Sequence, residues 1–71
     1  MVKENKFAQR IKELRKEKHW SQEFLASQIG YSKSAIGEWE KRHKEPNFDT
    51  LIKLANLFDI SIDYLLGRVD Y

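Results

Sequence analysis

Four times in this chain a small hydrogen-bonding residue, Ser21, Ser32, Asn47 or Ser61, stands directly before an apolar stripe at helical spacing. Such residues favour the cap that precedes a helix, so this punctuation constrains the chain to a series of short helices. Phe7, Ala8, Ile11 and Leu14 recur at the same spacing among charged residues and predict an amphipathic first helix ending near Lys18. Phe24, Leu25 and Ile29 then form the apolar face of a second helix of barely two turns, which Gly30 stops. Ala35, Ile36 and Trp39 mark a third, reaching about Lys41. Pro46 disfavours helix at Glu45 and resets the chain, and Phe48, Leu51, Ile52, Ala55 and Phe58 make a fourth helix. Ile62, Leu65 and Leu66 make a fifth, with Gly67 placed to end it. No segment alternates with period two between hairpin turns. The expected fold is therefore all-α, a five-helix single domain over residues 1–71.

A domain of 71 residues buries only about 60% of its unfolded surface and has a thin stability margin. With no Cys and two isolated histidines, His19 and His43, it has neither a disulfide nor a metal site to brace it, and no cofactor is expected. The same inventory argues against an enzyme, since there is no Cys nucleophile, no carboxylate pair in a plausible pocket and no phosphate-cradling glycine loop. Neither a signal peptide nor a membrane-length apolar run is present, so a soluble, cytoplasmic protein is expected. The net charge of +2 conceals an asymmetry, with 11 Lys+Arg against 6 Asp+Glu in residues 1–44 and 2 against 5 in residues 45–71. A basic half of +5 and an acidic half of −3 suit a polyanion on one face and a different role on the other.

The join between the second and third helices carries the most functional information. Ala26 is small where two helices crossing through a turn of about three to four residues must approach. Gly30 permits the positive φ that such a turn commonly needs. Leu25, Ile29, Ile36 and Trp39 would face inward, leaving Ser32, Lys33, Ser34, Gly37 and Glu38 as a short polar outer face. An α-helix fits the major groove of B-DNA, where the amino-terminal residues of a recognition helix meet base edges. A helix-turn-helix running from Gln22 to about Lys41 matches that need.

These residues resemble the Cro/lambda-repressor-like helix-turn-helix family, also called the XRE family, over nearly the whole chain. Ile11-Lys-Glu-Leu-Arg15 is similar to the family's first helix, Ser21-Gln22-Glu-Phe-Leu-Ala26 to its second, and Ser32 to Glu40 to its recognition helix. Pro46, Leu51 and Asp63-Tyr-Leu-Leu-Gly67 resemble its carboxyl-terminal pattern. The resemblance implies that Gln22 bonds a phosphate, a role the positive end of its own helix would favour. It implies that Lys33, Ser34 and Glu38 face base edges. Lys33 can donate to guanine O6 and N7, Ser34 can serve several bases, and Glu38 can accept from cytosine N4 or repel phosphates in wrong registers. It also implies that Arg15 and Glu40 form a pair joining the first helix to the end of the third, an orienting contact more than a stabilising one.

Lys41, Arg42 and Lys44 follow the third helix, where flexible cations can meet the sugar-phosphate backbone and fix register. Gly37 costs about 1 kcal/mol relative to Ala inside a helix, which is either tolerated on an exposed face or required by close approach of backbone to DNA. Trp39 falls on the inward stripe and Trp20 reads as a lid on the first helix, not as a stacking platform for bases. The resulting expectation is a regulator of transcription, a repressor, binding a palindromic double-stranded DNA operator as a homodimer. Leu57, Phe58, Ile60 and Leu66 would supply the apolar contact between subunits. The alternatives are an antitoxin or protein-interaction module of the same fold, with a toxin or antirepressor as partner, and the DNA-binding fragment of a longer regulator.

Overall fold

The computed structural model describes residues 5–70, which form five helices: α1 (Phe7–Glu17), α2 (Gln22–Ile29), α3 (Lys33–Glu40), α4 (Phe48–Phe58) and α5 (Ile62–Leu66). Each of the four expected caps is made. Ser21 accepts from the Phe24 N–H, Ser32 from Ala35, Asn47 from Thr50 and Ser61 from Tyr64, so every such helix start satisfies one otherwise orphaned donor. At the start of α1 that service comes from Asn5, whose Oδ1 accepts from the Phe7 N–H at 2.9 Å.

The helix ends share one geometry. After each helix stands a residue in the left-handed region: His19 (φ 60°), Gly30 (76°), Arg42 (65°), Asp59 (55°) and Gly67 (81°). The N–H of the next residue returns to a carbonyl five positions back, in the bonds Trp20 to Arg15, Tyr31 to Ala26, His43 to Glu38, Ile60 to Ala55 and Arg68 to Asp63. This closure satisfies a terminal carbonyl and turns the chain sharply. Gly67 has a second reason to lack a side chain, because a Cβ there would lie 2.6 Å from Lys6 Cβ.

The core joins all five helices through Phe7, Ile11, Leu14, Leu25, Ile29, Ile36, Trp39, Leu51, Leu54, Phe58 and Leu65. Trp39 takes an inward position with its ring edge-on to Phe7 and Tyr31, while Trp20 covers the α1 end against Phe24 and Phe58. Buried Thr50 shares a 2.6 Å hydrogen bond with the Tyr31 hydroxyl, tying α4 to the turn between α2 and α3.

Several of the apolar residues that mark the helices lie outside the core: Phe48 is 79% exposed, Ile52 46%, Phe24 44% and Ile62 36%. In α4 the buried stripe is Leu51, Leu54, Ala55 and Phe58, spaced i, i+3, i+4, i+7, which rotates Phe48 and Ile52 off it. The expected subunit patch changes accordingly. Phe58 belongs to the core and Leu57, Ile60 and Leu66 are half-buried against it. One cation joins the interior unexpectedly: Arg10 is buried with its guanidinium 4.1 Å above the Tyr64 ring and a nitrogen 3.5 Å from Asp70. Among the described residues no helix is long and apolar enough to cross a membrane.

Candidate nucleic-acid interface

Ala26 and Gly30 place α3 against α2 as their sizes require. Ala26 is buried at the crossing, and Gly30 supplies the left-handed residue that lets the chain turn through Tyr31 and Ser32 into α3. Ile36 and Trp39 hold the inner face of α3, which leaves Lys33 and Ser34 exposed and Gly37 and Glu38 half-exposed on its other side. The Ser32 hydroxyl is engaged as the cap, 3.2 Å from the Ala35 N–H, and its side chain stays at the surface. The first turn of α3 contains no acid, so the positive helix end and Lys33 act on the same volume of solvent. Ser32, Ser34, Glu38 and Lys44 line one cleft of about 470 Å³ together with Tyr31 and Pro46.

Three helices meet at the Glu40 carboxylate, whose side chain is only 5% exposed. Arg15 grips it with both branches of the guanidinium, Nε to Oε2 at 2.8 Å and Nη2 to Oε1 at 3.1 Å, and donates Nη1 to the Trp20 carbonyl at 2.8 Å. The expected orienting pair is thus present in fork geometry. The Gln22 amide donates to the same carboxylate at 3.1 Å. Gln22 therefore sits at the amino end of α2 with its amide fixed from below, beside an acid, Glu23, in the same first turn.

The cations after α3 do not form one group. Lys41 and Lys44 extend into solvent, whereas Arg42 turns away and donates to the Asn5 carbonyl at 3.2 Å, bracing the loop on the amino end of α1. Two partners were not foreseen in the sequence. His43 lies with Nδ1 3.0 Å from Glu38 Oε2, and Asn5 meets both Arg42 and, through its amide, Glu45. The signal for His43 was its position five residues after Glu38, which matters only once residue 42 is known to be left-handed. Arg42 and Asn5 are too far apart in sequence for any spacing rule to join them.

Comparison with known proteins agrees with this architecture. The helix-turn-helix family model matches residues 11–65. The chain is 44% identical over 64 residues to the HTH-type transcriptional regulator YobD of Bacillus subtilis, covering 90% of this chain and 57% of that protein. It is 38% identical over 58 residues to Repressor protein C2 of Salmonella phage P22, covering 82% of this chain and 27% of that protein. Its fold is similar to the crystal structure of the P22 c2 repressor in complex with a synthetic operator, with a TM-score of 0.82 at 35% identity, covering 89% of this chain and 96% of that one. A transcriptional regulator from Listeria innocua gives a TM-score of 0.87 at 28% identity over 92% of this chain and 61% of that one. The chain spans about half the length of the curated Bacillus subtilis relatives it matches. From the order of its helices, the geometry of its second and third, and these similarities, the chain belongs to the helix-turn-helix family of Cro/lambda-repressor-like (XRE) regulators.

Proposed function

We propose that this chain binds double-stranded DNA in a sequence-specific way and regulates transcription, as a repressor, by seating α3 in the major groove of a palindromic operator. The observation that carries this reading is the outer face of α3, where Lys33, Ser34, Gly37 and Glu38 lie together while Ile36 and Trp39 anchor the opposite side in the core. The likeness to a repressor solved on its operator supports it. Lys33, Ser34 and Glu38 read base edges, Gly37 lets the backbone come close, and Ser32 sits at the groove wall. Gln22, Lys41 and Lys44 hold phosphates, and Arg42 joins them once it leaves Asn5.

Residues 1–71 act as one domain in the cytoplasm, without catalysis, and two copies occupy the two half-sites of one operator about one helical turn apart. Among the exposed apolar side chains, Phe48, Ile52 and Ile62 lie in the acidic half and are available to a second copy or to a toxin or antirepressor. Selection of bound sequences from random DNA at two salt concentrations tests the proposal. Enrichment of a two-fold symmetric sequence, with affinity falling as salt rises, is expected. Failure to retain DNA at low salt would overturn it. Sedimentation with and without the selected DNA tests the dimer, which a single protomer per site would rule out.

A further inference from the structure

Glu38 and His43 are joined twice. The His43 N–H donates to the Glu38 carbonyl at 2.9 Å, and the His43 ring places Nδ1 3.0 Å from Glu38 Oε2. An ionised carboxylate only accepts, so Nδ1 carries the proton in this bond. The double link depends on Arg42, whose left-handed conformation folds the chain back so that residue 43 returns over residue 38. At the ends of α1, α2 and α4 the equivalent residue is Trp20, Tyr31 or Ile60. At the end of α5 it is Arg68, 3.9 Å from Asp63. Only at α3 does this position hold a ring nitrogen within hydrogen-bond distance of a side chain on the proposed reading face.

Resting on the reading of α3 as the base-facing helix, we propose that His43 is a positioning residue that sets sequence preference through Glu38. Its Nδ1–H occupies Oε2 and fixes the direction of a carboxylate that would otherwise sample several rotamers. Oε1 is left to accept from a base amine, a class to which the cytosine N4 group belongs. The donated hydrogen bond also disperses part of the charge that neighbouring phosphates would repel. His43 thus governs one base pair without touching it.

The test is selection from random DNA with the wild type, Glu38→Ala, His43→Ala, His43→Asn and the Glu38→Ala/His43→Ala double variant, with folding of each followed by circular dichroism. His43→Ala is expected to relax the base pair that Glu38→Ala relaxes, by about three- to tenfold in enrichment, and to leave the other positions alone. His43→Asn, whose amide nitrogen replaces Nδ1, restores the preference. In the Glu38→Ala background, loss of His43 changes nothing further. Uniform loss of retention across all sequences in His43→Ala, or a shift at a base pair that Glu38→Ala leaves untouched, would overturn the proposal while leaving DNA binding standing. A Glu38→Ala variant with unchanged preference would do the same. If His43→Ala does not fold, His43→Asn decides: a preference like that of Glu38→Ala overturns the proposal and one like the wild type supports it. A wild type that enriches no sequence would overturn the base-reading function itself, and the proposal with it.

Discussion

At its amino end α3 exposes Lys33 and Ser34 and is held by one cap bond, whereas at its carboxyl end Trp39 is buried and Glu40 binds side chains from α1 and α2. The two ends are separated by two turns of helix. Stability is concentrated at one of them and the proposed recognition at the other, so a substitution should disturb mainly the property its end carries. Gly37 and Glu38 stand between, on the side of α3 away from the core.

The sharpest attempt to break this division is Glu40→Ala. It strands the Arg15 guanidinium, whose side chain is 11% exposed, and is expected to lower stability by about 3–5 kcal/mol in urea unfolding. A loss below about 1 kcal/mol would mean that the carboxyl end is not the anchor. Ser32→Ala removes the cap bond and should cost about 1 kcal/mol by the same measurement, because the Ala35 N–H loses its acceptor. Gly37→Ala should act in the opposite sense. Its Cβ would meet nothing within 4 Å, so the fold does not require glycine there, and stability should rise by up to about 1 kcal/mol. If the backbone at Gly37 approaches DNA, the same variant binds more weakly in a titration, and unchanged affinity would assign the glycine to tolerance alone. Lys33→Ala should move the unfolding midpoint least, by under about 0.5 kcal/mol, yet change the sequence selected from random DNA. Lys44→Ala, compared beside it, should weaken all sequences alike. Identical selections from the two lysine variants would erase the distinction between reading and anchoring.

Local rules made much of the fold legible. Ser21, Ser32, Asn47 and Ser61 cap in the structure as they do on paper, since a cap needs only the following three residues. Gly30 and Gly67 stop helices for an equally local reason. The exposure of Phe24, Phe48, Ile52 and Ile62 is not legible in the sequence because hydrophobicity gives the width of an apolar stripe but not its centre, and burial of Leu54 shows where the α4 stripe turns inward. Arg10 escaped because a buried cation depends on Tyr64 and Asp70, more than 50 positions away. In the site, the Arg15 and Glu40 pair followed from the family resemblance. The Gln22 to Glu40 bond, the Arg42 brace on Asn5 and the His43 bond to Glu38 did not, since each requires the chain to be folded before the partners are neighbours.

The five left-handed helix ends are not equally comfortable. Glycine adopts that conformation freely at positions 30 and 67, and His19 and Asp59 are residue types that visit it more readily than most. Arg42 is neither, and its backbone holds a strain of roughly 1–2 kcal/mol. An engineer seeking a hardier version would therefore turn to residue 42 first and to His19 and Asp59 afterwards. Glycine at 42 would relax the turn, yet it would also delete the guanidinium that braces the loop on Asn5 and loosen the segment that carries His43 and Lys44. Toughness and discrimination thus compete at one residue, while the ends of α1 and α4 remain free to be hardened without disturbing the face that would meet DNA.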